Sequence, residues 1–166
     1  PANALIGGAL SFMLGSQERF SNEFLDLNDR GAGSLLIKLI GSQNIKYVRD
    51  TGEWFQWTKV KETGRQQWLN LGPQPLNLVN AVAHYYYDRA LVFEAHAKKY
   101  ADNPEKVTSL LAQAKQYRAF AAGSCSNSQS RGSILKDLTN GGRREIYALS
   151  QDFDAKSWLL GVRNGV

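Results

Sequence analysis

The most constraining feature of this sequence is a stretch of 26 residues, Leu76 to Ala101, that contains neither glycine nor proline. Its apolar side chains recur every three or four residues, as one face of an α-helix requires. The next segment supplies a helix start, with Asn103 as N-cap, Pro104 in the first helical position and Glu105 in the first turn. Because the connection between these two helices is short, the sequence predicts a long antiparallel helical hairpin at about 76–122.

A second segment, residues 45–69, has the pattern of a small antiparallel β-sheet. Three runs of β-forming residues are separated by the turn sequences Asp50-Thr51-Gly52 and Glu62-Thr63-Gly64. We expect Tyr47 to face Trp54 or Phe55 across the first turn. The fold class predicted from both segments is α+β, mainly helical, with this small antiparallel sheet and the long hairpin.

The tryptophans of this sheet lie among basic residues, a combination that can stack single-stranded bases. Trp54 and Trp57 have opposite parity along a strand, so they cannot both lie on one face of a regular sheet. We therefore predict that Trp54, Trp57 and Trp68 serve mainly as core residues.

Three further segments are less strongly determined. Ser34 is a candidate N-cap for a short helix that ends at Gly41. Ser124–Ser130 is either a loop or the start of a third helix that runs to Leu138. The segment Arg144–Leu149 is compatible with a strand or a helix.

Positive charge is concentrated in one part of the chain. The net charge is +5, yet residues 98–144 alone carry nine Lys and Arg against three Asp and Glu. This segment is either an ordinary solvated helix surface or a surface that contacts phosphates. The candidate nucleic-acid-binding residues are Lys98, Lys99, Lys115, Arg118, Arg131, Lys136, Arg143 and Arg144.

Most catalytic motifs are absent from the sequence. It has no phosphate-binding loop, no dinucleotide-binding glycine motif and no nucleophile elbow. His84 and His96 are too far apart along one helix to share a metal ion. Asp152 and Asp154, if they lay on a strand, would point to one side and could hold a divalent metal; the alternative is a polar turn before a strand at Trp158-Leu159-Leu160.

The cysteine count and hydropathy restrict the cellular setting. Cys125 is the only cysteine, so no internal disulfide can form, and we expect a reducing, cytoplasmic environment. No apolar run approaches the 18 or so residues that a membrane-spanning helix needs. We therefore predict no membrane partner.

Several of these blocks, taken in order, resemble the D5 N-terminal-like domain of phage, plasmid and poxvirus primase–helicases. The similarity includes Asn44-Ile45-Lys46-Tyr47-Val48, Gly52-Glu53-Trp54-Phe55-Gln56-Trp57, Trp68, Asp152-Phe153-Asp154 and the terminal Asn164-Gly165. It covers residues 17–166, which we take as one domain, truncated before a helicase motor, and leaves 1–16 as a linker or N-terminal extension.

The resemblance implies a setting but no catalytic residue. In that family the domain lies beside a hexameric superfamily 3 helicase motor, so ATP and Mg²⁺ are expected in the motor only, and no cofactor is expected in this chain. The leading hypothesis is a non-catalytic accessory domain that positions DNA, single-stranded or forked, and/or supports assembly of a homo-oligomer beside the motor. The resemblance implies a hexamer for the full-length protein, with other replication proteins as further partners. The alternatives are a pure protein–protein assembly module and a primase-type nucleotidyl-transfer site at Asp152 and Asp154.

Overall fold

The structure, a computed structural model, describes residues 26–60 and 64–155. The helices within these ranges are α1 (Asp29–Ile40), α2 (Asn80–Lys99), α3 (Pro104–Gly123), α4 (Ser128–Asn140) and α5 (Ser150–Ala155). The strands are β1 (Ile45–Val48), β2 (Glu53–Lys59), β3 (Gln66–Gly72) and β4 (Tyr147–Ala148). Two short 3₁₀ turns, Leu76–Val79 and Arg144–Ile146, precede α2 and β4. The predicted α+β, mainly helical fold is confirmed.

The predicted helical hairpin is formed by α2 and α3. Asn103 caps α3, since its Oδ1 accepts a hydrogen bond of 3.0 Å from the backbone N–H of Lys106, and Pro104 occupies the first helical position. α3 packs chiefly against α2. The rings of Tyr86 and Tyr117 are in contact in the half of the hairpin nearer its base, which is the end opposite the connection at 100–103. The hairpin therefore extends as a two-helix arm from a base that belongs to the main core.

The helix that precedes the sheet begins earlier than the sequence suggested. The N-cap of α1 is Asn28, whose Oδ1 accepts a 2.8 Å hydrogen bond from the N–H of Gly31. The prediction of Ser34 as N-cap was wrong, because Ser34 lies inside the helix and its hydroxyl donates to the carbonyl of Arg30 at 2.9 Å. The predicted end at Gly41 is confirmed, with φ at +87°, a value that glycine adopts without strain.

The sheet contains the predicted antiparallel strands and one strand more. Its order is β3-β2-β1-β4, and Tyr47 faces Trp54 as expected. β4 is parallel to β1 and pairs Tyr147 with Tyr47. The segment that was ambiguous between strand and helix thus contains a 3₁₀ turn followed by a two-residue strand.

The two faces of the sheet contribute to different clusters. Trp54 is 1% exposed and lies in the main core, which the sheet shares with α1, α4 and the hairpin base. Trp57 and Trp68 lie on the opposite face with Phe153 from α5. The expectation that Trp54 and Trp57 face opposite sides, and serve mainly as core residues, is confirmed.

α4 closes the main core at the base of the hairpin. Asn127 caps it by accepting a 2.7 Å hydrogen bond from the N–H of Ser130, so the third-helix alternative for this segment is the correct one. The helix packs against α1 and against the turn Leu76–Val79 that leads into α2. None of the helices in the described ranges combines the length and the apolar character needed to cross a bilayer. The expected strand at 158–160 and the terminal Asn164-Gly165 pair lie outside those ranges.

Candidate nucleic-acid interface

The eight candidate basic residues do not form one surface. Lys98 and Lys99 end α2 at the tip of the hairpin, whereas α4 and the turn after it lie at the base. The twenty residues of α3 separate tip from base by ~30 Å, at about 1.5 Å per residue. The positions from tip to base are Lys98 and Lys99 in α2, Lys115 and Arg118 in α3, Arg131 and Lys136 in α4, and Arg143 and Arg144 after α4.

Arg118 is committed to an ion pair within the hairpin. Its Nε and Nη2 donate to the two carboxylate oxygens of Glu94 at 2.8 and 2.9 Å. These hydrogen bonds hold the pKa of the Glu94 carboxyl below its ordinary value. Arg118 therefore joins α3 to α2, and its charge is already compensated.

Two further arginines are also engaged by the fold. The Nε of Arg131 donates to the carbonyl of Cys125 at 2.8 Å and so holds the turn before α4. Nη2 of Arg143 donates to the hydroxyl of Ser34 at 2.7 Å and to the carbonyl of Arg30 at 3.3 Å. Both arginines stabilise connections between elements, which limits the geometry with which they can meet a phosphate.

The other five candidates have exposed side chains: Lys98, Lys99, Lys115, Lys136 and Arg144. Of these, Lys136 and Arg144 lie at the base of the hairpin, at or just after the C-terminal half of α4. Two clefts formed by described residues also lie at the base. Lys136 is therefore the exposed candidate that also lines a cleft, and Arg144 lies in the turn that follows the same helix.

A cleft of ≈ 340 Å³ lies beside α4. Its α4 wall carries polar side chains that recur at helical spacing, and its other walls come from β1, β2 and the loop after β3. The lining residues are Tyr47, Trp54, Pro73, Gln74, Gln129, Gly132, Ser133, Leu135, Lys136 and Thr139. Sequence reasoning identified only Lys136 as a site residue. The spacing of Gln129, Ser133, Lys136 and Thr139 along one helical face was a signal that could have found the rest of that wall.

A second cleft, of ≈ 460 Å³, lies on the other side of the turn after α4. Arg30 and Arg143 line it together with the carboxylates of Asp137 and Glu145. The opposite charges offset each other, and Arg143 is held by Ser34. This cleft therefore has less affinity for phosphate than its two arginines alone would suggest.

The acidic pair of the nucleotidyl-transfer hypothesis is on a helix, not on a strand or in a turn. Asp152 and Asp154 both belong to α5. The carboxylate of Asp152 accepts a 2.8 Å hydrogen bond from the N–H of Leu149 and so caps that helix. Among residues 26–60 and 64–155, no three His, Cys, Asp or Glu side chains form a group that could hold a metal ion.

Cys125 is expected to be nearly inert toward thiol reagents in the folded protein. Its side chain is fully buried, and burial raises the pKa of the thiol to about 11, so the reactive thiolate is scarce at neutral pH. A chromogenic disulfide reagent at pH 7.5 should label native protein at least ~100-fold more slowly than protein unfolded in urea. Equal labelling rates in the two states would contradict the buried position.

Fold and site together describe an α+β domain with a projecting helical hairpin and two clefts at its base, one of which is lined by Lys136. A family model, D5 N terminal like, matches residues 33–166. The chain belongs to this family, whose domain is typical of viral and plasmid primase–helicases. No curated protein and no solved structure matches the chain.

Proposed function

We propose that this chain is a non-catalytic accessory domain of a viral or plasmid primase–helicase and that it holds DNA beside the motor. The observation that carries the proposal is that the exposed Lys136 lines a cleft at the base of the hairpin, while the exposed Arg144 lies in the turn that follows the same helix. Family membership supports the replication setting. In this role the domain needs no cofactor, because phosphate neutralisation is electrostatic and ATP hydrolysis belongs to the motor.

Charge reversal at the base is expected to weaken DNA binding more than the same reversal at the tip. The Lys136→Glu/Arg144→Glu double variant should lose on the order of tenfold in affinity for a single-stranded oligonucleotide at low salt. The slope of log K against log salt should also fall by about 0.7 for each phosphate contact removed. Fluorescence anisotropy at four or more salt concentrations measures both quantities.

The matched control is Lys98→Glu/Lys99→Glu at the tip of the hairpin. Both double variants change the net charge by the same amount, so a general charge effect would weaken binding equally in the two. An equal loss would contradict the assignment of DNA to the base. If wild-type protein shows no salt-dependent binding even at low salt, the DNA role itself fails.

A second candidate function, assembly through the hairpin, is favoured by a different observation. Along the arm, Leu91 of α2 is 53% exposed and Leu111 of α3 is 46% exposed. Such side chains on a projecting arm suit contact with a neighbouring subunit. Light scattering on a longer protein that includes the helicase motor distinguishes assembly from DNA binding. The Leu91→Glu/Leu111→Glu double variant should lower the assembled mass if the arm contacts neighbouring subunits. The mass should be unchanged if the domain acts on DNA alone.

A further inference from the structure

The cleft beside α4 has the size and the boundaries of a site for one small ligand. Its volume of ≈ 340 Å³ lies within the range of about 300–1,000 Å³ that small-molecule pockets occupy. α4 forms one wall, the sheet strands β1 and β2 form another, and the loop after β3 completes the boundary. A ligand would therefore enter a preformed space.

One wall of the cleft is aromatic. Tyr47 is half-buried and packs against Trp54, with 5.1 Å between the two ring centroids. Trp54 is itself anchored in the main core, which holds Tyr47 in place. A fixed aromatic wall suits a planar group, because ring–base contacts hold nucleobases of any sequence.

The remaining lining carries a single charge and four uncharged polar side chains, beside Pro73, Gly132 and Leu135. The amides of Gln74 and Gln129 and the hydroxyl of Ser133 offer donors and acceptors, as the edge of a nucleobase requires. The hydroxyl of Thr139 donates to the carbonyl of Lys136 at 3.0 Å and offers an acceptor. Lys136 supplies a cation, and none of the lining residues is acidic. The combination matches a planar group with hydrogen-bonding edges joined to an anion.

We infer that this cleft receives one unpaired nucleotide of single-stranded DNA, with its base against Tyr47 and its phosphate near Lys136. The inference rests on the proposed DNA-binding function and adds to it a preference for single strands. A base within a duplex cannot enter unless it leaves the stack, which costs free energy. An unpaired base enters without that cost.

Gly132 allows the cleft to be closed without disturbing the core. A Cβ added at this position meets no other atom within 4 Å, because the glycine borders the open space of the cleft. Gly132→Leu would fill that space with a side chain. Gly123→Leu is the matched control, since Gly123 ends α3, is likewise unobstructed, and does not line the cleft.

The test compares an oligothymidylate with an abasic strand of the same length and charge. Wild-type protein should bind the oligothymidylate on the order of tenfold more tightly, as expected when a strand retains its base contacts. Gly132→Leu should remove this preference, and Gly123→Leu should retain it. Gln129→Ala, at an exposed position of α4, should reduce the preference without filling the cleft, and circular dichroism checks that each variant is folded.

The outcomes separate the two proposals. Equal, salt-dependent binding of both strands by wild-type protein would overturn the nucleotide site and leave the DNA role standing. A base preference that survives in both folded Gly132→Leu and Gln129→Ala would also overturn the site. Absence of binding to either strand would overturn the proposed function and this inference together.

Discussion

Replacement of Trp54 by alanine is expected to lower the free energy of unfolding by about 3–5 kcal/mol. The side chain is 1% exposed, lies in the main core and supports Tyr47 across the sheet. Its removal leaves a large cavity that the surrounding helices fill only in part. A loss of this size is a large share of the total stability of a domain, commonly about 5–15 kcal/mol.

Urea denaturation followed by circular dichroism measures the effect. Leu69→Ala is the control on the neighbouring strand, because Leu69 is 45% exposed and should change stability by only about 0.5 kcal/mol. If Trp54→Ala does not fold, Trp54→Phe retains part of the ring packing and should show a smaller loss in the same direction. Equal midpoints for Trp54→Phe, Leu69→Ala and wild type would contradict the buried position of Trp54.

The same substitution, glycine to alanine, is expected to have opposite effects in two helices. At Gly31 in α1 an added Cβ would lie 2.1 Å from the backbone carbonyl oxygen of Asp26, so the chain that enters the helix must shift. We expect Gly31→Ala to destabilise the protein by about 1–3 kcal/mol, the usual range for overpacking.

Gly132→Ala in α4 should instead stabilise the protein by about 0.5–1 kcal/mol. No atom lies within 4 Å of the added Cβ, and alanine loses less conformational entropy than glycine when a helix forms. Thermal unfolding of both variants beside wild type gives the comparison. Stabilisation of both variants would show that helix propensity, not the contact with Asp26, governs position 31.

The parts of the fold predicted from sequence are those determined by neighbouring residues. Asn103 and Pro104 specify the start of α3 as its N-cap and first helical residue. The first turn of the sheet likewise places Tyr47 opposite Trp54. Two local signals competed at α1, where both Asn28 and Ser34 can cap a helix. The structure has the earlier one: Asn28 accepts from the N–H of Gly31, and the Ser34 hydroxyl, inside the helix, donates to the carbonyl of Arg30.

The parts that sequence reasoning missed depend on residues far apart in the chain. β4 has only two residues, and its pairing with β1 joins positions 147 and 47. The charge count likewise could not reveal that Arg118 meets Glu94 on another helix, or that Arg143 meets Ser34. For the cleft, the α4 wall could be predicted from its polar spacing, whereas the contribution of Tyr47 and Gln74 required the tertiary structure.

The pairing of β1 with β4 also has a consequence for the order of folding. Nζ of Lys46 donates to the carbonyl of Glu145, 99 residues later, at 2.7 Å. Contacts of such long sequence separation slow folding, because the intervening chain must first lose its freedom. The hairpin lies within that interval and forms from local contacts, so its folding shortens the loop to be closed. We therefore expect β4 to join the sheet late, once the hairpin and α4 have formed.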